Sequence, residues 1–307
     1  MRLADRLSRL ESGGVAFRLA HRAYLGTHRI AERLGVHVVR ASYDSPIPVV
    51  HRLPADVFER RSKLRGVDWN PEAQAAWMDA ELGAFLAEFR PQPNPDAAPG
   101  TFRLENHTYD HVDAELLYAM LRRFKPRRYV ELGSGYSTLV AWEALRRNQA
   151  DGHPGELTCY DPFPSPQVLA RPELAERVKA VSAERLPDAV VSGLQANDVL
   201  FVDTSHTVKL DGDVNRIVLD LLPLAQPGVV VHFHDIFLPR DYLPAHVEGA
   251  HYWTEQYLLQ AFLSGNRDWE VLLGAYAVTT GSPELVERLI PSYRPGVEPG
   301  AFWIRRR

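Results

Sequence analysis

The sequence holds one cysteine, Cys159, in 307 residues. No internal disulfide can form, and a reducing cytoplasm is the expected setting. No run of about 18 apolar residues occurs, so no transmembrane helix is expected. The opening stretch, MRLADRLSRLESGG, carries charges where a signal peptide would have an apolar core. A strong net charge is also missing. At -4, with a pI near 6.3, the chain has no global pull toward nucleic acid or an anionic membrane. Internal repeats and low-complexity tracts are absent. What remains is 45% hydrophobic content in a length that suits one large α/β domain with an appended region.

Locally the charge is less even. Residues 1–40 carry eight arginines against three acids. Leu3, Leu7 and Leu10 fall at helical spacing, and Phe17, Ala20 and Tyr24 continue the pattern after Gly13 and Gly14. Such a segment suits a membrane surface or an anionic partner, or else a solvated helix pair on the main domain or at a homo-oligomer contact. The proline-rich stretch from Tyr43 to Pro54 is expected as an ordered loop, with Tyr43 in a lid over the substrate. A second proline-rich passage, from Arg90 to Gly100, reads as a linker. Residues 1–100 are therefore expected to form a helical N-terminal cap and residues 101–307 the main domain.

Within that domain one stretch dominates: YVELGSGYSTLV, Tyr129 to Val140. A β-branched run ends in Glu131, and Gly133, Ser134 and Gly135 turn the chain into an amphipathic helix. A glycine turn of this kind lets a ligand approach bare backbone at a helix start. The dinucleotide fingerprint is incomplete, because Thr138 stands where its third glycine would be. A carboxylate at Glu131 also disfavours a pyrophosphate on charge.

The rest of the domain alternates strand and helix. Strands are expected at Leu157 to Tyr160, Val178 to Val181, Val199 to Val202 and after QPG in VVVHFHDIF, with later strands at Glu270 to Leu273 and Ala301 to Arg305. Alternation of this kind gives an α/β, Rossmann-like, doubly wound and mostly parallel sheet, with ligands at the carboxyl ends of its strands. Glu131, Asp161, Asp203 and His234 all fall at such ends. Asp161 is placed to accept hydrogen bonds from ribose hydroxyls.

These residues resemble the class I SAM-dependent methyltransferases, whose first motif is an acid-x-Gly-x-Gly turn matched by Glu131, Gly133 and Gly135. Ser137 stands where that motif usually has its third glycine. The Asp-x-Ser-His at Asp203 to His206 and the His-Asp at His234 and Asp235 resemble a branch found among bacterial proteins and sugar or natural-product O-methyltransferases. The resemblance covers roughly residues 101–307. It implies a seven-stranded sheet with a late antiparallel strand, and S-adenosyl-L-methionine as cofactor, held by Glu131, Gly133, Ser134, Gly135, Ser137, Asp161 and Asp203. It also implies transfer to a hydroxylated small-molecule or glycan-type acceptor.

Methyl transfer to a hydroxyl needs a group that removes its proton. His234 is the expected base, on the usual imidazole pKa near 6.5, with Asp203 and His206 beside it. His232 shares its side of the strand and is expected to pack. Some members of the resembled superfamily hold magnesium at these strand ends, which makes Asp203, Asp235 and His234 candidate ligands for magnesium or another divalent metal. Tyr242, Trp253 and Glu255 are expected at the acceptor. Three other functions stay open: an NAD-dependent oxidoreductase, a metal-dependent hydrolase built on HFHD, and a non-catalytic partner-binding protein of the same fold.

Overall fold

The computed structural model describes residues 14–91 and 98–307. The expected leucine spacing at Leu3, Leu7 and Leu10, and part of the proline-rich linker, lie outside these residues. The chain divides into two compact units after Pro54, not near residue 100. In the first unit the helix α1 (Val15–Arg33) is followed by an extended return segment and a short 3-10 turn, Val50–Arg52.

The second unit is built on one sheet. Its helices α2 (Pro71–Trp77) and α3 (Gly83–Glu88), joined by a π-helical turn at Met78–Leu82, belong here because their apolar side has nowhere else to go. Met78, Leu82, Leu86 and Phe89 are buried in one cluster with Leu117 and Met120. That packing moves residues 55–100 from the expected cap into the main unit. Helix α4 (Asp113–Phe124) buries Leu116, Leu117, Met120 and Leu121. The Asp113 side chain caps nothing in its own helix.

The elements that follow are β1 (Arg128–Leu132), α5 (Tyr136–Ala150), β2 (Glu156–Tyr160), α6 (Pro166–Leu169), α7 (Pro172–Ala175) and β3 (Val178–Lys179). Next come α8 (Asp188–Ser192), β4 (Val199–Val202), α9 (Asp213–Asn215) with a π-helical extension Arg216–Leu221, and β5 (Val230–Phe233). The chain ends through α10 (Pro244–Glu248), α11 (Glu255–Leu263), β6 (Trp269–Gly274), α12 (Ala275–Gly281), α13 (Pro283–Leu289) and β7 (Phe302–Arg306).

The seven strands lie in the order β3-β2-β1-β4-β5-β7-β6. All pairs are parallel except those of β7, which runs antiparallel between β5 and β6. Two apolar layers cover the faces, as a parallel sheet requires. Tyr129, Cys159 and Phe201 face the layer of α4 and α5. Val130, Leu132, Val202 and Phe233 face Ile217, Val218 and Leu259. The strand order reverses between β1 and β4, so their carboxyl ends open a crevice.

Candidate active site

The turn after β1 is set by Gly133. Its φ is +104°, and a Cβ there would lie 2.3 Å from the carbonyl oxygen of Asp203. Only glycine fits so close an approach in a left-handed backbone. The Gly133 amide donates to Tyr160 O at 3.0 Å and that of Asp203 to Leu132 O at 3.0 Å, which ties the ends of β1, β2 and β4 together.

Beside this knot lies a cavity of about 460 Å³. Gly133, Ser134, Asp161 and Asp203, all read from the sequence as cofactor contacts, line it, together with Phe163, Glu184 and Lys209. The Asp161 carboxylate is held by Ser134 Oγ at 2.7 Å and by the Phe163 amide at 2.8 Å, leaving lone pairs toward the cavity.

Glu131 lies elsewhere. Residues alternate across β1, and Glu131 shares the side of Tyr129, away from the crevice. It is fully buried and accepts from Ser137 Oγ at 2.6 Å and Thr138 Oγ1 at 3.0 Å, while Thr138 Oγ1 accepts from the Gly135 amide at 3.0 Å. Glu131, Gly135 and Ser137 thus brace the start of α5 and do not line the cavity. Burial raises the Glu131 carboxyl to about 8, outweighing the two hydroxyl donors that favour its charged form.

A second group sits at the ends of β4 and β5. Ligand atoms of Asp203, His206 and Asp235 lie within 4.8 Å of one another, the only such group among the described residues. His206 Nε2 is 3.2 Å from Asp203 Oδ1 and 3.5 Å from Asp235 Oδ2. Behind the ring, Nδ1 meets Glu255 Oε2 at 2.8 Å. Both His206 (φ 54°) and Asp235 (φ 57°) hold the left-handed backbone, which His and Asp adopt more readily than most residues. Asp213 fixes the turn between β4 and α9 by accepting from the Ser205 amide at 2.7 Å and from Ser205 Oγ at 2.5 Å.

His234 is surrounded by carboxylates. Its Nε2 is 3.4 Å from Asp113 Oδ2, and its Nδ1 is 3.4 Å from Asp235 Oδ2 and 3.7 Å from Asp203 Oδ2. Burial alone would lower its pKa, yet Asp235, Asp203 and Asp113 raise it well above the usual imidazole value. The three carboxylates favour the protonated ring, where the expectation took the solution value near 6.5. Burial would raise Asp203, but His234 and His206 hold it well below the usual carboxylate range. His232 packs as expected, stacked on Phe201 at 4.2 Å and edge-on to Trp303 at 4.6 Å.

The expected acceptor residues divide. Glu255 is buried behind His206, so it orients that ring and presents no surface. Trp253 is half-buried against His206 and His246, both at 4.5 Å. Tyr242 is buried, and its hydroxyl accepts from the Gln256 amide at 3.0 Å. Tyr43 lies in the separate first unit with an exposed side chain. Two site residues went unread in the sequence, Asp113 and His246. Asp113 Oδ2 accepts from the Gly300 amide and Oδ1 from that of Ala301, both at 2.9 Å, so it joins the start of α4 to the approach of β7.

Residues 130–236 match the sequence profile of a family described as a methyltransferase domain. Over that stretch the chain is similar to methyltransferase domains. An uncharacterised protein of Archaeoglobus fulgidus is 28% identical over 127 residues, a match spanning 39% of this chain and 56% of that protein. Among solved structures, a methyltransferase from Geobacter sulfurreducens superposes with a TM-score of 0.37 at 16% identity, over 74% of this chain and 96% of its own. Human N-acetylserotonin methyltransferase in complex with SAM gives 0.36 at 13% identity, over 64% and 52%.

Proposed function

We propose that this protein transfers a methyl group from S-adenosyl-L-methionine to a hydroxyl of a small-molecule or glycan-type acceptor. The observation that carries the reading is the adjacency of two chemistries. Asp203 lines the cavity that begins at Gly133 and Asp161, and it also belongs to the carboxylate and imidazole group at the ends of β4 and β5.

The cavity fits the cofactor in size and charge. Its volume falls within the range of ordinary ligand sites. Acids in its wall, Asp161, Glu184, Asp203 and Asp213 against Lys209, suit a sulfonium and an ammonium and would repel phosphates. When bound, SAM supplies the electrophilic methyl group. Asp161 accepts the ribose hydroxyls, and the Gly133 turn lets the ligand approach main chain.

The group at Asp203, His206 and Asp235 also fits a divalent cation. Two carboxylate oxygens and an imidazole form a mixed donor set open to magnesium, manganese or zinc. Glu255 on Nδ1 points Nε2 of His206 at both carboxylates, the outer-shell arrangement of metal-binding histidines. A cation there would lower the pKa of an acceptor hydroxyl. His234 then acts as a clamp that fixes Asp203 and Asp235 in place, and the histidine ligand is His206 instead of His234.

The test is methyl transfer from labelled SAM to a panel of hydroxylated acceptors, with and without chelator. Transfer that a chelator stops and a divalent metal restores supports the whole reading. Transfer indifferent to the chelator removes the cation and keeps the methyltransferase. A folded protein that binds no SAM removes both.

A further inference from the structure

Among the described residues of the first unit, helix α1 has one face covered and the other exposed. On one side of α1, Phe17, His21, Tyr24 and His28 form a ladder of rings with centroids 6.0, 6.5 and 6.3 Å apart. The return segment closes on that side. Tyr24 Oη accepts from the Arg40 amide at 3.3 Å, His28 Nδ1 meets Val38 O at 3.0 Å, and His37 lies 6.4 Å from His28.

The opposite side carries exposed apolar residues. Val15, Leu19, Ile30 and Leu34 are 65%, 61%, 63% and 77% exposed. At about 100° per residue they fall in an arc of about 100°. Arg18, Arg22, Arg29 and Arg33, all exposed, fall in the adjoining arc of about 60°. The one acid between residues 14 and 43 is Glu32. Over its 19 residues the helix is about 28 Å long, so the arginine edge and the apolar face run side by side for that length.

We propose that α1 docks this protein on an anionic lipid surface, lying in the plane of the headgroups. The apolar face enters the acyl boundary while the arginines meet lipid phosphates. Charge complementarity selects this occupant over a second copy of the chain. A twofold contact would set one arginine edge against another, whereas an anionic bilayer pairs with Arg22, Arg29 and Arg33. Spanning is excluded for α1, since no helix among the described residues is long and apolar enough to cross a membrane. The proposal is independent of the methyltransferase reading.

The test is co-sedimentation of the full chain with phosphatidylglycerol vesicles and with phosphatidylcholine vesicles, at low and high salt. Binding is expected to the anionic vesicles alone and to weaken with salt. The triple variant Arg22→Gln, Arg29→Gln, Arg33→Gln should lose affinity by about a hundredfold, about fivefold per arginine. Leu19→Glu with Ile30→Glu should abolish binding, with circular dichroism and urea unfolding showing that each variant is folded. No binding to anionic vesicles, equal binding to both kinds, or a solution dimer dispersed by Leu19→Glu would each overturn the proposal.

Discussion

Glu131 offers a quantitative test, because the substitution Glu131→Gln separates bracing from charge. A glutamine Oε1 still accepts from Ser137 and Thr138, while the group that burial holds near 8 no longer ionises. The native carboxyl binds its proton more tightly than the unfolded one, whose ordinary value is 4.5. Its contribution to stability is therefore complete below about pH 4.5 and is lost as the pH rises toward about 8, at about 1.4 kcal/mol per unit. At pH 7 the loss comes to about 3 kcal/mol. The glutamine amide must sit where Oε2 now faces Cys159 Sγ at 3.8 Å, a poor acceptor that costs about 1 kcal/mol. Urea unfolding followed by circular dichroism should find the variant no more stable than the parent near about pH 5, and more stable by about 2 kcal/mol near about pH 7. Parallel stability curves across that range would refute the reasoning, for they would mean that Ser137 and Thr138 keep Glu131 ionised in the fold.

Other substitutions probe neighbouring claims. Gly133→Ala places a methyl group 2.3 Å from Asp203 O in a left-handed backbone, so it should cost about 3 kcal/mol and abolish SAH binding, checked by unfolding and calorimetry. His234→Gln removes the clamp. Turnover should fall about 10²-fold and manganese affinity by about tenfold in equilibrium dialysis, while SAH affinity is retained. Phe201→Ala, fully buried under His232, should lose about 3–5 kcal/mol in urea unfolding without altering the set of ligands bound.

Much of this fold is local and was legible. The run at Val199 to Val202 has the observed boundaries because apolar content and end signals coincide there. The gathering of Asp203, His206, His234 and Asp235 followed from the rule that parallel strands deliver their next residues to one rim. Asp113 was not legible. It reaches His234 only because α4 packs beside β7, a contact between residues 187 apart in sequence from Asp113 to Gly300. Which way Glu131 faces was not legible, because parity along β1 turns it into the layer of α5. The surroundings of His234 were not legible either. An imidazole's usual pKa is a property of solution, and three carboxylates from three different elements displace it. The division after Pro54 was missed because proline content at residues 90–100 looked like a boundary, while the burial of Met78, Leu82 and Leu86 decides the matter.

Isothermal titration of SAH into the parent protein and into Asp161→Ala tests the central claim most directly. Single-site binding is predicted, weakened about 10- to 100-fold in the variant by loss of the carboxylate that accepts the ribose hydroxyls. Absence of binding to the folded parent, or equal affinity in both proteins, would contradict it.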